Sequence, residues 1–164
     1  MTPSEERYKE IYRDNYPKVM RLCMGYVSGD QALAKDVAQD VFIKIWENLE
    51  QFRNESGIGS WIYRITVNTC LTQLRKQKKH RINYDIKDIP ERHEAYSGEE
   101  KHQMLVQLYG CINTLSETNK AIILLELEGL PQKEISEIIG IKHEAIRTRI
   151  HRIKSQLTKC VNNE

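Results

Sequence analysis

Apolar residues recur along this chain at helical spacing, and nowhere do they alternate at strand spacing over a convincing length. The clearest case is residues 129–157, GLPQKEISEIIGIKHEAIRTRIHRIKSQL, where two short helical patterns meet at Gly140. The first opens after Pro131 and sets Ile135, Ile138 and Ile139 on one face; the second carries Ile146, Ile150, Ile153 and Leu157. Pro131 suits the first turn of a helix, where a missing N–H costs nothing, and Gly140 is free to take the left-handed conformation that ends one. The spacing predicts a helix-turn-helix.

Upstream, residues 5–27 predict a helix with an apolar stripe of Ile11, Tyr12, Tyr16, Val19, Leu22, Cys23, Tyr26 and Val27, despite Pro17. From Ala32 to Leu49 two rows spaced by four, Val37/Val41/Ile45/Leu49 and Ala38/Phe42/Trp46, predict a second helix facing a core. Asp36, Gln39, Asp40 and Lys44 lie away from those rows, a polar face that packing does not require. The glycines and serines of QFRNESGIGS, residues 51–60, predict a loop. A third helix follows over about 61–79, with Tyr63, Val67, Cys70, Leu71 and Leu74 inward.

Residues 82–103 contain Pro90, Gly98, alternating charges and few large apolar groups, which predicts a flexible linker. Met104, Leu105, Leu108, Cys111, Ile112 and Leu115 then predict a helix ending near Ser116, which is placed to cap the next one. That helix has Ile122 to Leu127 as its apolar heart, and Leu124, Leu125 and Leu127 are expected in the core. The reading is an all-α chain of two small helical domains, 1–80 and 104–164, joined by a flexible linker over 81–103, the second domain ending in the helix-turn-helix.

Charge sharpens this picture. The net charge is only +2, yet residues 56–84 carry six Lys/Arg and no acid, while 85–103 carry six acids and three bases. Between Lys142 and Lys159 stand six Lys/Arg against one acid, Glu144. On a helical wheel the row from Ile146 to Leu157 leaves Glu144, Thr148, His151, Arg152 and Ser155 opposite, with Arg147 beside them. Such a face suits a polyanion, and duplex DNA fits best. At the end of the third helix, five bases among residues 75–81 exceed what the helix dipole favours.

Other chemistries find little support. Cys23, Cys70, Cys111 and Cys160 lack the close spacing of a zinc site or redox motif, and the first three sit among apolar residues, where a reduced cysteine is a small core residue. A reducing cytoplasm is therefore expected. The start, MTPSEERYKE, has no apolar run, so no signal peptide is expected, and no stretch approaches the about 18 apolar residues of a membrane span. His80, His93, His102, His143 and His151 are scattered. With no phosphate-cradling glycine loop, metal-ligand cluster or nucleophile with a positioned base, the expectation is a non-enzyme without metal, cofactor or small-molecule substrate.

In their order and spacing, three segments resemble the sigma-70 family of bacterial RNA polymerase sigma factors, in its small two-domain extracytoplasmic-function class. AKDVAQDVFIKIWENL (34–49) looks like region 2.2, FRNESGIGSWIYRITVNTCLTQLRKQKK (52–79) like regions 2.3 and 2.4, and residues 129–157 like region 4.2. The resemblance covers about residues 5–160. It implies that Asp36, Gln39, Asp40 and Lys44 dock on the clamp helices of the polymerase β′ subunit. It further implies that the melted minus 10 element is held by Arg53, Asn54, Ser56, Ser60, Arg64, Asn68, Arg75, Lys76 and Lys79. Trp61 is read as a core residue.

By the same resemblance the second domain sets its recognition helix in the major groove of the minus 35 element. Arg147, Thr148, His151 and Arg152 meet DNA there, Arg149 and Lys154 flank on phosphates, and Lys142 and His143 belong to the same site. Part of the surface around Leu124, Leu125 and Leu127 is implied to meet the β flap, and an anti-sigma protein is a further partner common in the class. Three departures stand out: Thr72 where relatives often have an acidic or amide residue, and Glu144 and Ala145 where many have Gly and Thr. The competing reading is a stand-alone helix-turn-helix regulator, which needs a two-fold dimer to reach palindromic half-sites.

Overall fold

Local signals start and stop the helices. Thr2 opens the first with a reciprocal cap: its hydroxyl accepts from the Glu5 amide at 3.2 Å while the Glu5 carboxylate accepts from the Thr2 amide at 2.8 Å. Asp30 and Ser116 cap later helices through the amides of Leu33 and Asn119. The computed structural model describes residues 1–53, 57–81 and 98–163, with the backbone alone for 78–81. Within them α1 is Pro3–Tyr26, α2 Gln31–Asn48, α3 Ile58–Arg81, α4 Glu99–Asn113, α5 Glu117–Leu127, α6 Gln132–Ile139 and α7 His143–Val161. A short 3-10 turn, Leu49–Gln51, follows α2. No strand occurs among the described residues, so the fold is all-α.

Two boundaries differ from the sequence reading. The α3 helix begins at Ile58, taking Gly59 and Ser60 from the expected loop, and α4 begins at Glu99, inside the expected linker. A first helical turn buries little, so apolar periodicity does not mark it. Glu99 and Glu100 sit where the helix dipole favours acids.

The apolar rows find each other. Val19, Leu22, Cys23 and Tyr26 of α1, Val37, Val41, Phe42 and Ile45 of α2, and Ile62 and Val67 of α3 are buried where these three helices pack. In the second half Ile112, Ile122, Ile123, Leu125 and Ile135 close on the α7 row of Ile146, Ile150, Ile153 and Leu157. The two groups also touch: α3 lies against α6, and α1 against α4 and α5.

Some expected core residues lie outside. Tyr12 and Trp46 are each nearly half exposed in an aromatic cluster, Tyr12 with its ring 4.6 Å from Phe42 and Trp46 with its ring 5.2 Å from Tyr8. Met104 and Leu105 are exposed in the first half of α4, which no other described element covers, and Leu127 is exposed at the end of α5. Cys111 also departs from the expected reduced thiol. Packing of α4 on α7 brings the Cα atoms of Cys111 and Cys160 to 5.9 Å, within bonding reach, and the two form a disulfide. Sequence separation hid this pairing. Cys23 and Cys70 remain buried thiols with their sulfurs 3.9 Å apart.

The disulfide closes a loop of 49 residues in sequence, for which chain entropy gives about 4 kcal/mol. Denaturant melts with and without a thiol reductant should therefore separate by a few kcal/mol, and the difference should vanish in Cys160→Ser.

Candidate nucleic-acid interface

The α6–α7 junction sets the geometry of the basic helix. Gly140 adopts φ 80° and ψ 28°, and the amides of Gly140 and Ile141 both donate to the Ser136 carbonyl, at 2.8 and 3.2 Å. This sharp exit delivers α7 with its four apolar residues inward. Arg147, Thr148, His151 and Arg152 consequently face outward and are exposed, as are Lys142, His143 and Glu144 at the helix start. The Thr148 hydroxyl is turned back on the Glu144 carbonyl at 3.2 Å.

Two of the basic residues point elsewhere. The half-buried Arg149 donates to the Asn119 side chain on α5 at 3.3 Å, and Lys154 pairs with Glu126 at 3.1 Å. Arg147, Thr148, His151 and Arg152 thus lie on the open face of the helix, while Arg149 and Lys154 brace it against α5.

The third helix presents a second polar surface with a different setting. Ser60 donates to the Glu134 carboxylate at 2.5 Å, Arg64 to the Glu137 carbonyl at 3.3 Å, and Arg75 pairs with Glu117 at 3.1 Å. Arg53, Asn68 and Lys76 are exposed, with the Asn68 carbonyl accepting from the Thr72 hydroxyl at 2.8 Å. Asn54 and Ser56 lie outside the described residues, as does the side chain of Lys79. Trp61 is half-buried against Phe52, ring centroids 4.8 Å apart.

On α2, Asp36 and Gln39 are exposed, whereas Asp40 accepts from Gln73 at 2.8 Å and Lys44 donates to Thr69 at 3.3 Å, both on α3. Beside Asp36, on the same face one to two turns further on, lies Ile43, nearly half exposed. Sequence reading passed over it, although its place three after Asp40 and seven after Asp36 marks the shared face. Among the described residues no group of His, Cys, Asp or Glu is placed to hold a metal ion. Nor is any helix there long and apolar enough to cross a membrane.

Where the two halves meet, the Arg21 guanidinium grips Glu128 through two bonds of 2.9 and 3.0 Å. Beside them the Tyr63 phenol is pushed up to about 12, first by burial and then by the Glu128 carboxylate. The folded chain thus holds the neutral phenol more firmly than the unfolded chain does. This contribution to stability is complete below pH 10 and is lost as the pH rises toward 12. Thermal melts between pH 9 and 11.5 should show a steeper alkaline loss for the native chain than for Tyr63→Phe.

Comparison with known families matches the description "Sigma-70 region 2" to residues 11–80 and "Sigma-70, region 4" to residues 105–157. The chain is 36% identical over 152 residues to RNA polymerase sigma factor SigV of Bacillus subtilis (strain 168), covering 89% of this chain and 88% of that protein. It is 34% identical over 154 residues to the ECF RNA polymerase sigma-E factor of Haemophilus influenzae, covering 85% and 79%. Among solved structures its fold is similar to the sigma factor RpoE, in complex with the anti-sigma factor NepR, from Bartonella quintana. The TM-score is 0.73 at 19% identity, over 96% of this chain and 98% of that one. CnrH in complex with the cytosolic domain of CnrY gives 0.72 at 17%, over 98% and 90%.

Proposed function

The chain belongs to the sigma-70 family of RNA polymerase sigma factors, in the extracytoplasmic-function class, and on that premise we propose how its surfaces divide the work of starting transcription. As a sigma factor it binds core RNA polymerase and directs promoter recognition and opening. The observation that carries the division of labour is the open row on α7: every apolar residue of that register is buried, and Arg147, Thr148, His151 and Arg152 are left exposed on the outer face. Two domains, one from residues 1–80 and one from 104–164, then take one promoter element each.

In this reading α7 enters the major groove of the minus 35 element. The arginine fork matches guanine O6 and N7 together, worth about 1–3 kcal/mol of discrimination per bidentate pair. Lys142 and His143 approach the groove edge. Glu144 is repelled by phosphates, so its place in a groove is as an acceptor for a cytosine amino group. Arg149 and Lys154, braced on α5, add positive field.

The α3 helix grips the melted minus 10 strand. Asn68 suits a base edge, Arg64, Arg75 and Lys76 suit phosphates, and unstacked bases gain contacts available only in the single-stranded state. Opening is therefore driven by binding energy, and no bond is made or broken by this chain. The face of Asp36, Gln39 and Ile43 docks on the polymerase β′ clamp, with Asp40 and Lys44 holding it against α3. Exposed Leu127 suits contact with the β flap.

The setting is cytoplasmic, so the Cys111–Cys160 disulfide would be open to reduction there. An anti-sigma protein is a partner, a reading supported by the sigma factor RpoE of similar fold, which is in complex with the anti-sigma factor NepR. A stand-alone dimeric regulator would have no use for the region 2 match over residues 11–80.

Arg147→Ala and Arg152→Ala should each weaken binding to minus 35 duplex by roughly 5- to 150-fold, the equivalent of about 1–3 kcal/mol, while core affinity stays unchanged. Asp36→Ala with Gln39→Ala should do the opposite, as read by gel filtration with purified core polymerase. A parent chain that never joins the core at micromolar concentration would sink the reading.

A further inference from the structure

We propose that Cys111 and Cys160 form a thiol–disulfide exchange site through which the redox state of the surrounding thiol pool sets how tightly α7 holds duplex DNA. The proposal rests on the reading of α7 as the duplex-binding helix and adds a chemical control to it. Of the two cysteine pairs, one is placed for such a role. Cys23 and Cys70 have their sulfurs 3.9 Å apart but are 0% and 2% exposed, out of reach of a dissolved reagent. Cys160 stands half-buried in the last turn of α7, between exposed Lys159 and the helix end, while its bonded partner Cys111 is 5% exposed.

A disulfide between one accessible and one covered cysteine has a preferred direction of attack. The thiolate of a small dithiol bonds to the Cys160 sulfur, the S–S bond breaks, and Cys111 leaves as a thiolate that takes up a proton. The second thiol of the reductant then displaces Cys160, so that two electrons and two protons pass to the protein and the reductant departs as a disulfide. Oxidised glutathione runs the exchange the other way. The Cys160 thiolate attacks it, one glutathione leaves as a thiol, and Cys111 displaces the second to close the protein disulfide. A cytoplasmic disulfide that exchanges in this manner senses redox state.

What the bond holds is the far end of the helix that carries Arg147, Thr148, His151 and Arg152. The Gly140 turn fixes the start of α7, and Ile146, Ile150, Ile153 and Leu157 seat its middle. Beyond Leu157 no residue of α7 is fully buried. There the helix is tied to α4 by the disulfide and by a hydrogen bond from the Gln107 side-chain amide to the Val161 carbonyl at 2.6 Å. Since α4 packs along α7, a looser tie between them lets α7 rock about the Gly140 turn and shifts its outer face. Ordering such a helix on DNA costs conformational entropy that the closed bond has already removed. The oxidised chain is therefore the tight-binding form and the reduced chain the weak one. By linkage, duplex DNA must make the bond harder to reduce by the same factor.

The test uses the full chain in both redox states, so no substitution is needed to set them. The chain is equilibrated with reduced and oxidised glutathione in varied ratio, and iodoacetamide labelling read by mass spectrometry gives the open fraction of each cysteine. Cys111 and Cys160 should open together, with Cys160 carrying the mixed disulfide, and Cys23 and Cys70 should stay unlabelled. A short fluorescent duplex, selected from a random library on the oxidised chain, should bind the oxidised form about fivefold more tightly than the reduced form by anisotropy. At saturating duplex the glutathione ratio that half-opens the pair should shift by the same factor. Cys160→Ser should bind as the reduced parent does at every ratio.

Equal affinity of the two forms would overturn the proposal. So would a redox response that persists in Cys160→Ser, or a glutathione balance that duplex leaves unmoved. Circular dichroism follows both forms, and weaker binding that comes with loss of helix would count against the proposal as mere unfolding. Arg147→Ala in the oxidised chain judges the reading of α7 separately. If it binds the duplex as the parent does, that reading fails; if it binds weakly while the two parent forms bind alike, the redox control alone fails.

Discussion

The rotation of α7 about its own axis decides what this protein can show to DNA, and four apolar side chains fix it. Ile146, Ile150, Ile153 and Leu157 are all buried, against α4, α5 and α6. In a helix each residue turns the register by about 100°, so a slip of one position would carry Arg147 and His151 toward the protein and an isoleucine toward the outer face. The hydrophobic effect sets this angle without any contact to DNA. Gly140 does the companion task of aiming the helix axis, because its left-handed backbone lets two amides close on one carbonyl. Recognition is thus prepared by groups that never touch the ligand.

On α2 the same polar residues serve two masters. Asp40 and Lys44 belong by position to the face proposed to dock on polymerase, yet each holds a side chain of α3. Their effect on docking is joined to their effect on how α3 sits against α2. Asp36, Gln39 and Ile43 are free of such ties. An apolar group ringed by polar ones gives a docking face both area and direction, which charged residues alone would not.

Much of this was legible in the sequence because it is local. The Ser116 cap, the Gly140 exit and the α7 row all depend on residues within a turn or two of each other, where periodicity speaks directly. What stayed hidden depends on residues far apart in the chain. Nothing near Trp46 says that its outer edge stays wet, and nothing near Cys111 names Cys160 as its partner. The engagement of Arg64 by α6 is a further case: its basic charge was read correctly, but the carbonyl it meets lies 73 residues away. Helix starts were the remaining gap, as at Glu99, because a first turn is shaped by backbone and dipole more than by apolar spacing.

The bond between Cys111 and Cys160 has a topological result of its own. Once closed, it makes α5, α6 and most of α7 into a covalent ring. A protease that cuts a single peptide bond inside that ring leaves one molecule, which separates into two pieces only when the sulfurs are reduced. Tension arriving along the chain from the amino-terminal side of α4 would pass across the sulfurs to the far end of α7, bypassing the turns between.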